Sequence, residues 1–321
     1  MNEVILIPTY KRIPFLIRVI EQIRQFDKET GIVVFPDRGS SHTADYAFVA
    51  DYFKREAVTI LYVPAHDYYG NSYNALEALR WAYNAGFDLV HYIEDDVIVH
   101  PDYFAWHRRM HENFEDIFAS MAWVFNRHTP LVEAELFQPW YYAIGTCFPR
   151  RSLQMLMPHC CPLYYQDMPG YIAKVFADSK MNTPFGIEHF EQDGLIQRVI
   201  DRAKVQTVSA GLAKCTHLGA FGYNRGWDYE EELFEGCDSI VHKLQRINEF
   251  FNDEHWRVEM FGRDVVEREV HHEIPEVKHK YRVKLPGGFE TEFESGVRLR
   301  RVPSKINSVP MPRDAELVLV S

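Results

Sequence analysis

D-L-V-H-Y-I-E-D-D-V-I-V-H-P-D, running from Asp88 to Asp102, is the stretch on which the reading of this chain turns. Leu89 to Ile93 is an apolar run broken only by His91, which predicts a buried strand. The run stops at three consecutive carboxylates, Glu94, Asp95 and Asp96. A second apolar run, Val97 to Val99, follows, and His100-Pro101-Asp102 opens a helix through Trp106. Three acids held between two apolar runs raise one another's pKa unless a cation or hydrogen-bond donors neutralise them. A hard divalent metal carrying a phosphate-bearing ligand meets that need. A solvated acidic turn between strands is the plainer alternative.

Upstream of the acids, strand and helix patterns alternate. Val4 to Ile7 reads as a short strand, broken by the polar turn Pro8-Thr9-Tyr10-Lys11-Arg12. Pro14 to Gln25 is helical, with Phe15, Leu16, Val19, Ile20 and Ile23 on one face. Ile32 to Phe35 is the second strand and ends in Pro36-Asp37-Arg38-Gly39-Ser40. Thr43 to Arg55 is helical, Val58 to Val63 is a third strand, and Gly70-Asn71 opens a helix to Ala85 with Gly86 as its C-cap. Such alternation predicts an α/β fold, a mostly parallel Rossmann-like sheet flanked by helices, with ligands outside the carboxyl ends of the strands. Pro8 to Arg12, Asp37 to Ser40 and Glu94 to Asp96 then face one crevice. Basic residues, a lone Asp beside a glycine turn and a carboxylate cluster suit a metal-bound nucleotide diphosphate. There is no G-x-G-x-x-G after the first strand and no G-x-x-x-x-G-K-[ST], which disfavours a dinucleotide fold and a P-loop.

The 321 residues suit one large α/β domain plus an appendage, and 46% hydrophobic with 25% charged residues is an ordinary globular balance. A net charge of -11 argues against a generic nucleic-acid coat. No run of 18 apolar residues and no charged-then-apolar leader is present, so neither a membrane anchor nor a signal peptide is expected. The five cysteines form no C-x-x-C pattern and read as reduced thiols of a cytoplasmic protein. His159-Cys160-Cys161 reads as loop packing rather than a soft-metal site.

The order strand-PTYKR, strand-PDRGS, helix, strand-EDDVIVHPDYF resembles the GT-A glycosyltransferase fold. Tyr73 to Phe104, together with Asp37-Arg38-Gly39 and Thr43, is similar to the N-acetylglucosaminyltransferase I type; the likeness spans roughly residues 1 to 225. The resemblance implies a UDP-sugar donor (UDP-GlcNAc for the nearest type), Mn²⁺ or Mg²⁺, and inversion at the anomeric carbon. It implies that Asp96 binds the metal, that Glu94 and Asp95 contact the ribose and base side, and that Asp37 reads the uracil. Pro8, Thr9, Tyr10 and Arg12 join them as nucleotide-sugar residues. In this class the aromatic stretch from Trp140 to Arg150 lines the sugar and acceptor pocket, with Trp140 the stacking candidate and Gly145 permitting close backbone approach.

Phe185 to Ile200 puts Glu188, Glu191 and Asp193 at the start of an amphipathic helix. Inverting transfer needs one carboxylate to take the acceptor proton. The resemblance places that base here, in Asp193 with Glu191 in reserve; a simple helix cap is the plainer reading. After a strand from Val205 to Leu212, the loop Lys214 to Gly222 holds His217, which the resemblance offers as a further metal ligand or diphosphate contact; Lys214 and Arg225 are candidate diphosphate partners or exposed surface charges.

Beyond Trp227 the chain leaves the resemblance, giving a glycosyltransferase domain over 1–228 and a C-terminal extension of helix and basic β module over 229–321. Cys237 to Phe251 is helical, and Lys280 to Val297 reads as a hairpin about Pro286-Gly287-Gly288. Lys278 to Lys305 holds eight Lys or Arg against three Glu. The expected protein is a cytoplasmic, bacterial or phage-encoded, metal-dependent inverting transferase whose acceptor is a glycan, a small molecule or modified DNA. A phage-type enzyme acting on a modified DNA base through the basic module, and a silent nucleotide-sugar binding protein, are the alternatives.

Overall fold

The computed structural model describes residues 2–10, 12–37, 52–61, 70–123, 135–179, 190–217, 236–237, 242–243 and 245–246, and the strands between 279 and 319 named below. The expectations for Lys11, the Arg38-Gly39-Ser40 loop, the helix start at Thr43, Glu188, Gly219, Gly222, Arg225 and the turn at Pro286 lie outside the described residues. The chain divides into two compact units, Met1–Cys215 and Thr216–Ser321, the cut falling inside one short strand.

The first unit is a mixed α/β layer structure. Its eight-stranded sheet has the order β3-β2-β1-β4-β8-β6-β9-β7. The strands are β1 (Glu3–Thr9), β2 (Gly31–Pro36), β3 (Val58–Ile60), β4 (Leu89–Tyr92), β6 (Ile117–Met121), β7 (Glu135–Gln138), β8 (Thr146–Pro149) and β9 (Gln206–Ala210). β1 pairs in parallel with β2 and β4, β2 with β3, and β6 with β9. β8 runs antiparallel between β4 and β6, and β7 is the antiparallel edge. The four strands from β3 to β4 therefore present their carboxyl ends on one side. β1 and β4 are nearly continuous apolar runs because helices cover both faces of a parallel sheet.

The sequence pattern places Pro8 in a turn, but β1 continues through it to Thr9, with Pro8 buried and registered opposite Phe35 of β2. A proline is tolerated in this central strand because β4 pairing ends at Leu6–Tyr92. The missing N–H faces the side from which β4 has already turned away.

Helix α1 (Ile13–Phe26) carries Pro14 in its first turn, where a proline costs nothing, and buries Phe15, Leu16, Val19, Ile20 and Ile23. Helix α2 (Asn71–Ala85) stops at Gly86, whose φ of 87° lets its N–H reach the carbonyls of Ala82 and Tyr83. After the acids come β5 (Val97–Val99) and α3 (Tyr103–Asn113), and after β8 come α4 (Arg150–Leu156), α5 (Pro162–Gln166), α6 (Met168–Val175) and α7 (Gln192–Ala203). Strand β10 (Cys215–His217) pairs with β5. Gly145 answers the expected need for close approach. A Cβ there would lie 2.7 Å from Cys215 Sγ and 3.2 Å from Ala122 Cβ, at a φ of 59°.

In the second unit β11 (His279–Lys284) and β12 (Glu290–Ser295) pair antiparallel, as the hairpin pattern predicts, and β15 (Glu316–Leu319) pairs with β11 on its other side. A separate pair joins β13 (Lys305–Ile306) and β14 (Val309–Pro310). The register sets Lys280, Arg282 and Lys284 opposite Glu294, Glu292 and Glu290. The cationic excess of the sequence is therefore not carried by these two strands, where the Lys and Arg charges balance the Glu charges.

Candidate active site

The carboxyl ends of β1, β2 and β4 meet through hydrogen bonds that the acids organise. Asp95 accepts three bonds: Oδ2 from Thr9 Oγ1 at 2.6 Å and from the Tyr10 N–H at 3.3 Å, and Oδ1 from Arg12 Nη1 at 2.9 Å. Both terminal nitrogens of Arg12 also reach Asp96 Oδ2, each at 3.2 Å. Asp37 is drawn in on the β2 side, its N–H donating to Thr9 O at 2.8 Å and its Oδ2 accepting from the Gly70 N–H at 2.9 Å. Asn74 of α2 donates to Phe35 O at 2.7 Å, which fixes that helix start against the end of β2. Tyr10 is partly solvent-exposed beside the cluster.

Asp95 and Asp96 are buried, at 5% and 6% exposure. Burial holds the Asp95 carboxyl above the ordinary range despite Arg12 and Thr9. Burial, followed by the charges of Asp96, Asp193 and Asp95, pushes Glu94 well above it. Glu94, Asp95, Asp96 and Asp193 thus share a neighbourhood in which Arg12 bonds to Asp95 and Asp96.

Ligand atoms of Glu94, Asp96 and His217 lie within 4.8 Å of one another, a grouping that could share one ion. Two carboxylate oxygens and an imidazole nitrogen without thiolate suit Mn²⁺, Mg²⁺ or Zn²⁺ rather than a soft metal. The residues present therefore fit a divalent cation. His217 ends β10, whose approach is set by His100: its N–H donates to Lys214 O at 2.9 Å, and its Nδ1 lies 3.0 Å from Ala213 O. Lys214 itself is buried and ion-paired to Asp102 at 2.7 Å. At the other expected cluster, His159 Nδ1 bonds the Tyr171 hydroxyl at 2.9 Å, and burial pushes the Cys160 thiol up to about 12, in line with loop packing.

Helix α7 brings the candidate base. Ser72 Oγ donates to Gln192 Oε1 at 2.7 Å and accepts from the Gln192 N–H at 3.3 Å, so the starts of α2 and α7 are stitched together. Glu191 occupies the N-cap without a side-chain cap bond; it is exposed, and its Oε2 accepts from the Phe190 N–H at 3.1 Å. Asp193 is in the first turn, where the helix terminus ordinarily lowers a carboxyl pKa. Here burial and the Glu191 charge win, and Asp193 is pushed up to about 6. Its Oδ1 is buried with no hydrogen-bond partner, so it is not serving as a cap. Its charge raises Glu94, Tyr92 and Tyr141, which identifies its neighbours.

Tyr92 and Tyr141, in runs that read as core strand, are both buried within reach of the Asp193 charge. The structure ties Trp140 in through its carbonyl, which accepts from Thr207 Oγ1 at 2.6 Å, and it is Tyr141 next along that stands beside the acids. Gln197, one turn after Asp193, holds this segment. Its Oε1 accepts from the Tyr141 N–H at 2.7 Å, and its Nε2 donates to Pro139 O at 2.7 Å. The Asp193–Gln197 spacing of four residues was the available signal.

Together these features define an α/β protein with a carboxylate cluster, an acid with one unpartnered oxygen and a cation-fitting trio beside the carboxyl ends of parallel strands. Among solved structures, the chain is similar to Staphylococcus aureus TarS 1–349 in complex with UDP-GlcNAc, at 13% identity and a TM-score of 0.43, over 78% of this chain and 72% of that one. It is also similar to the mannosyltransferase PcManGT from Pyrobaculum calidifontis in complex with GDP-Man and Mn²⁺, at 14% identity and a TM-score of 0.42, over 77% of this chain and 64% of that one. No family model and no curated protein matches the chain. Among the described residues no helix is long and apolar enough to cross a membrane.

Proposed function

We propose that this chain is a metal-dependent inverting glycosyltransferase that moves a sugar from a UDP-sugar, UDP-GlcNAc in the nearest type that its sequence resembles, to an acceptor hydroxyl. The observation that carries the reading is Asp193: a carboxylate with a buried, unpartnered oxygen, pushed up to a pKa of about 6, near the acids that fit a cation. A structural acid would be capped or paired; a general base needs an oxygen to offer and a pKa close to working pH.

In this reading Asp37 and the exposed Tyr10 receive the nucleoside, and Thr9 and Arg12 hold Asp95 as the rigid floor of the site. Glu94, Asp96 and His217 are the cation ligands, so Glu94 moves from the nucleotide side, where the resemblance put it, to the metal side. A bound divalent ion would stabilise the negative charge that develops on the departing diphosphate. Asp193 accepts the proton of the acceptor hydroxyl as that oxygen bonds to the anomeric carbon; the bond from that carbon to the diphosphate breaks, and UDP leaves with the electron pair. Tyr92 and Tyr141 exclude water beside Asp193. The catalytic machinery is assigned to residues 1–228 and an appended module to 229–321.

The test is release of UDP from a panel of UDP-sugars with Mn²⁺ by wild type, Asp193→Asn and Asp96→Asn. Slow metal-dependent hydrolysis by wild type, lost in both variants, supports the reading; a wild type that binds UDP yet never cleaves any donor, with or without candidate acceptors, makes the chain a binding protein instead.

A further inference from the structure

Arg12 makes two unequal sets of bonds. To Asp95 it donates one bond at 2.9 Å, within the usual range for a charge-assisted pair, while both of its bonds to Asp96 Oδ2 are stretched to 3.2 Å. Asp95 keeps two further donors, from Thr9 and Tyr10, whereas Asp96 is also one of the three residues whose ligand atoms gather within 4.8 Å. The guanidinium therefore lies on the carboxylate that the cation reading requires. Its position is held from behind: Arg12 is the N-cap residue of α1, and its Cζ sits 5.3 Å from the centroid of the Phe15 ring.

We propose that Arg12 is a displaceable counter-ion that makes cation binding and nucleotide binding depend on each other. The inference rests on the metal reading of Glu94, Asp96 and His217 given above. In the nucleotide-free protein Arg12 neutralises Asp96 and keeps the buried acids from repelling one another. A divalent cation entering on Asp96 must displace the two longer bonds, and the guanidinium pivots about its shorter bond to Asp95. The cation and Arg12 are then like charges at close range in a buried site, an arrangement that is unfavourable until a diphosphate lies between them. The cation alone accordingly binds weakly, and the diphosphate, by engaging both, tightens it; the same factor tightens the diphosphate when the cation is present. Such coupling keeps the donor site from trapping a metal without its nucleotide.

Mn²⁺ titrations followed by the electron paramagnetic resonance of the free ion, with and without UDP, test this on wild type, Arg12→Gln, Arg12→Lys and Asp96→Asn. Arg12→Gln should bind Mn²⁺ alone roughly tenfold tighter than wild type and lose most of the tightening by UDP. Arg12→Lys, which keeps the charge but cannot span two carboxylates with a fork, should fall between them and covers the case in which the glutamine variant does not fold. Arg12 variants that fold and bind Mn²⁺ alone no better than wild type overturn the inference while leaving the metal site intact. Wild-type Mn²⁺ affinity in Asp96→Asn overturns the metal site itself and the inference with it.

Discussion

Gln197 Oε1 accepts the Tyr141 backbone N–H at 2.7 Å, so the helix that carries Asp193 also holds the segment that carries its tyrosine neighbour. The same side chain donates to Pro139 O, and Gln197 is 1% exposed. Gln197→Leu removes both partners and leaves a buried N–H and a C=O unpaired. A loss of about 2 kcal/mol is expected in urea denaturation. Turnover should fall further than the fraction unfolded accounts for, because Tyr141 loses its place beside Asp193.

Asp193→Asn separates stability from activity. The Asp193 pKa is raised in the fold above its unfolded value, so ionisation is penalised in the folded state, and that penalty grows as pH rises from the unfolded value through about 6. Asparagine removes the penalty. The variant should melt no lower than wild type at pH 7.5, with any advantage vanishing below pH 4, while transfer falls by roughly 10²- to 10⁴-fold. Wild-type kcat/KM should rise with pH through about 6, and no such limb should appear in residual activity of the variant.

Away from the site, His91, His107 and His111 are buried together; Ser120 Oγ lies 2.6 Å from His107 Nδ1 and 2.9 Å from His111 Nε2. Burial holds all three below the ordinary histidine value, His111 at about 3. The unfolded chain therefore takes up these protons first. Stability contributed by the neutral histidines is complete above about pH 6.5 and is lost as pH falls below it. The urea midpoint should drop between pH 7 and pH 5, and His111→Gln, which cannot protonate, should flatten that drop.

The parallel half of the sheet was legible because each buried strand is an unbroken apolar run and each helix keeps one apolar face; Gly86 announced the end of α2 as a left-handed cap. Pro8 misled because a proline normally ends a central strand, and only the local departure of β4 makes room for it. The three acids stood out in the sequence as a cluster, but the partners of each did not follow from order in the chain. Asp95 is drawn under Thr9 and Arg12 by contacts some 85 residues away in sequence, while Glu94 is left beside Asp96 and His217. Lys214 showed only its charge, and its partner Asp102 lies on the far side of β5 in sequence. In the basic C-terminal stretch, the register that sets Glu294, Glu292 and Glu290 opposite Lys280, Arg282 and Lys284 followed from the hairpin pattern, but the partner strand β15 did not.

Modified DNA as the acceptor is the alternative that the basic C-terminal stretch raises. Duplex DNA binding measured at two salt concentrations checks this: affinity falling steeply with salt supports a nucleic-acid acceptor, and no binding above background removes it.

The central claim is that Asp96 and a divalent cation together form the donor site, and calorimetric titration of UDP tests it most directly. Wild type with Mn²⁺ should bind UDP at least tenfold tighter than the same protein in EDTA, and Asp96→Asn should lose that difference while remaining folded. Equal UDP affinity with and without Mn²⁺, or an Asp96→Asn variant that keeps the metal effect, would contradict the account.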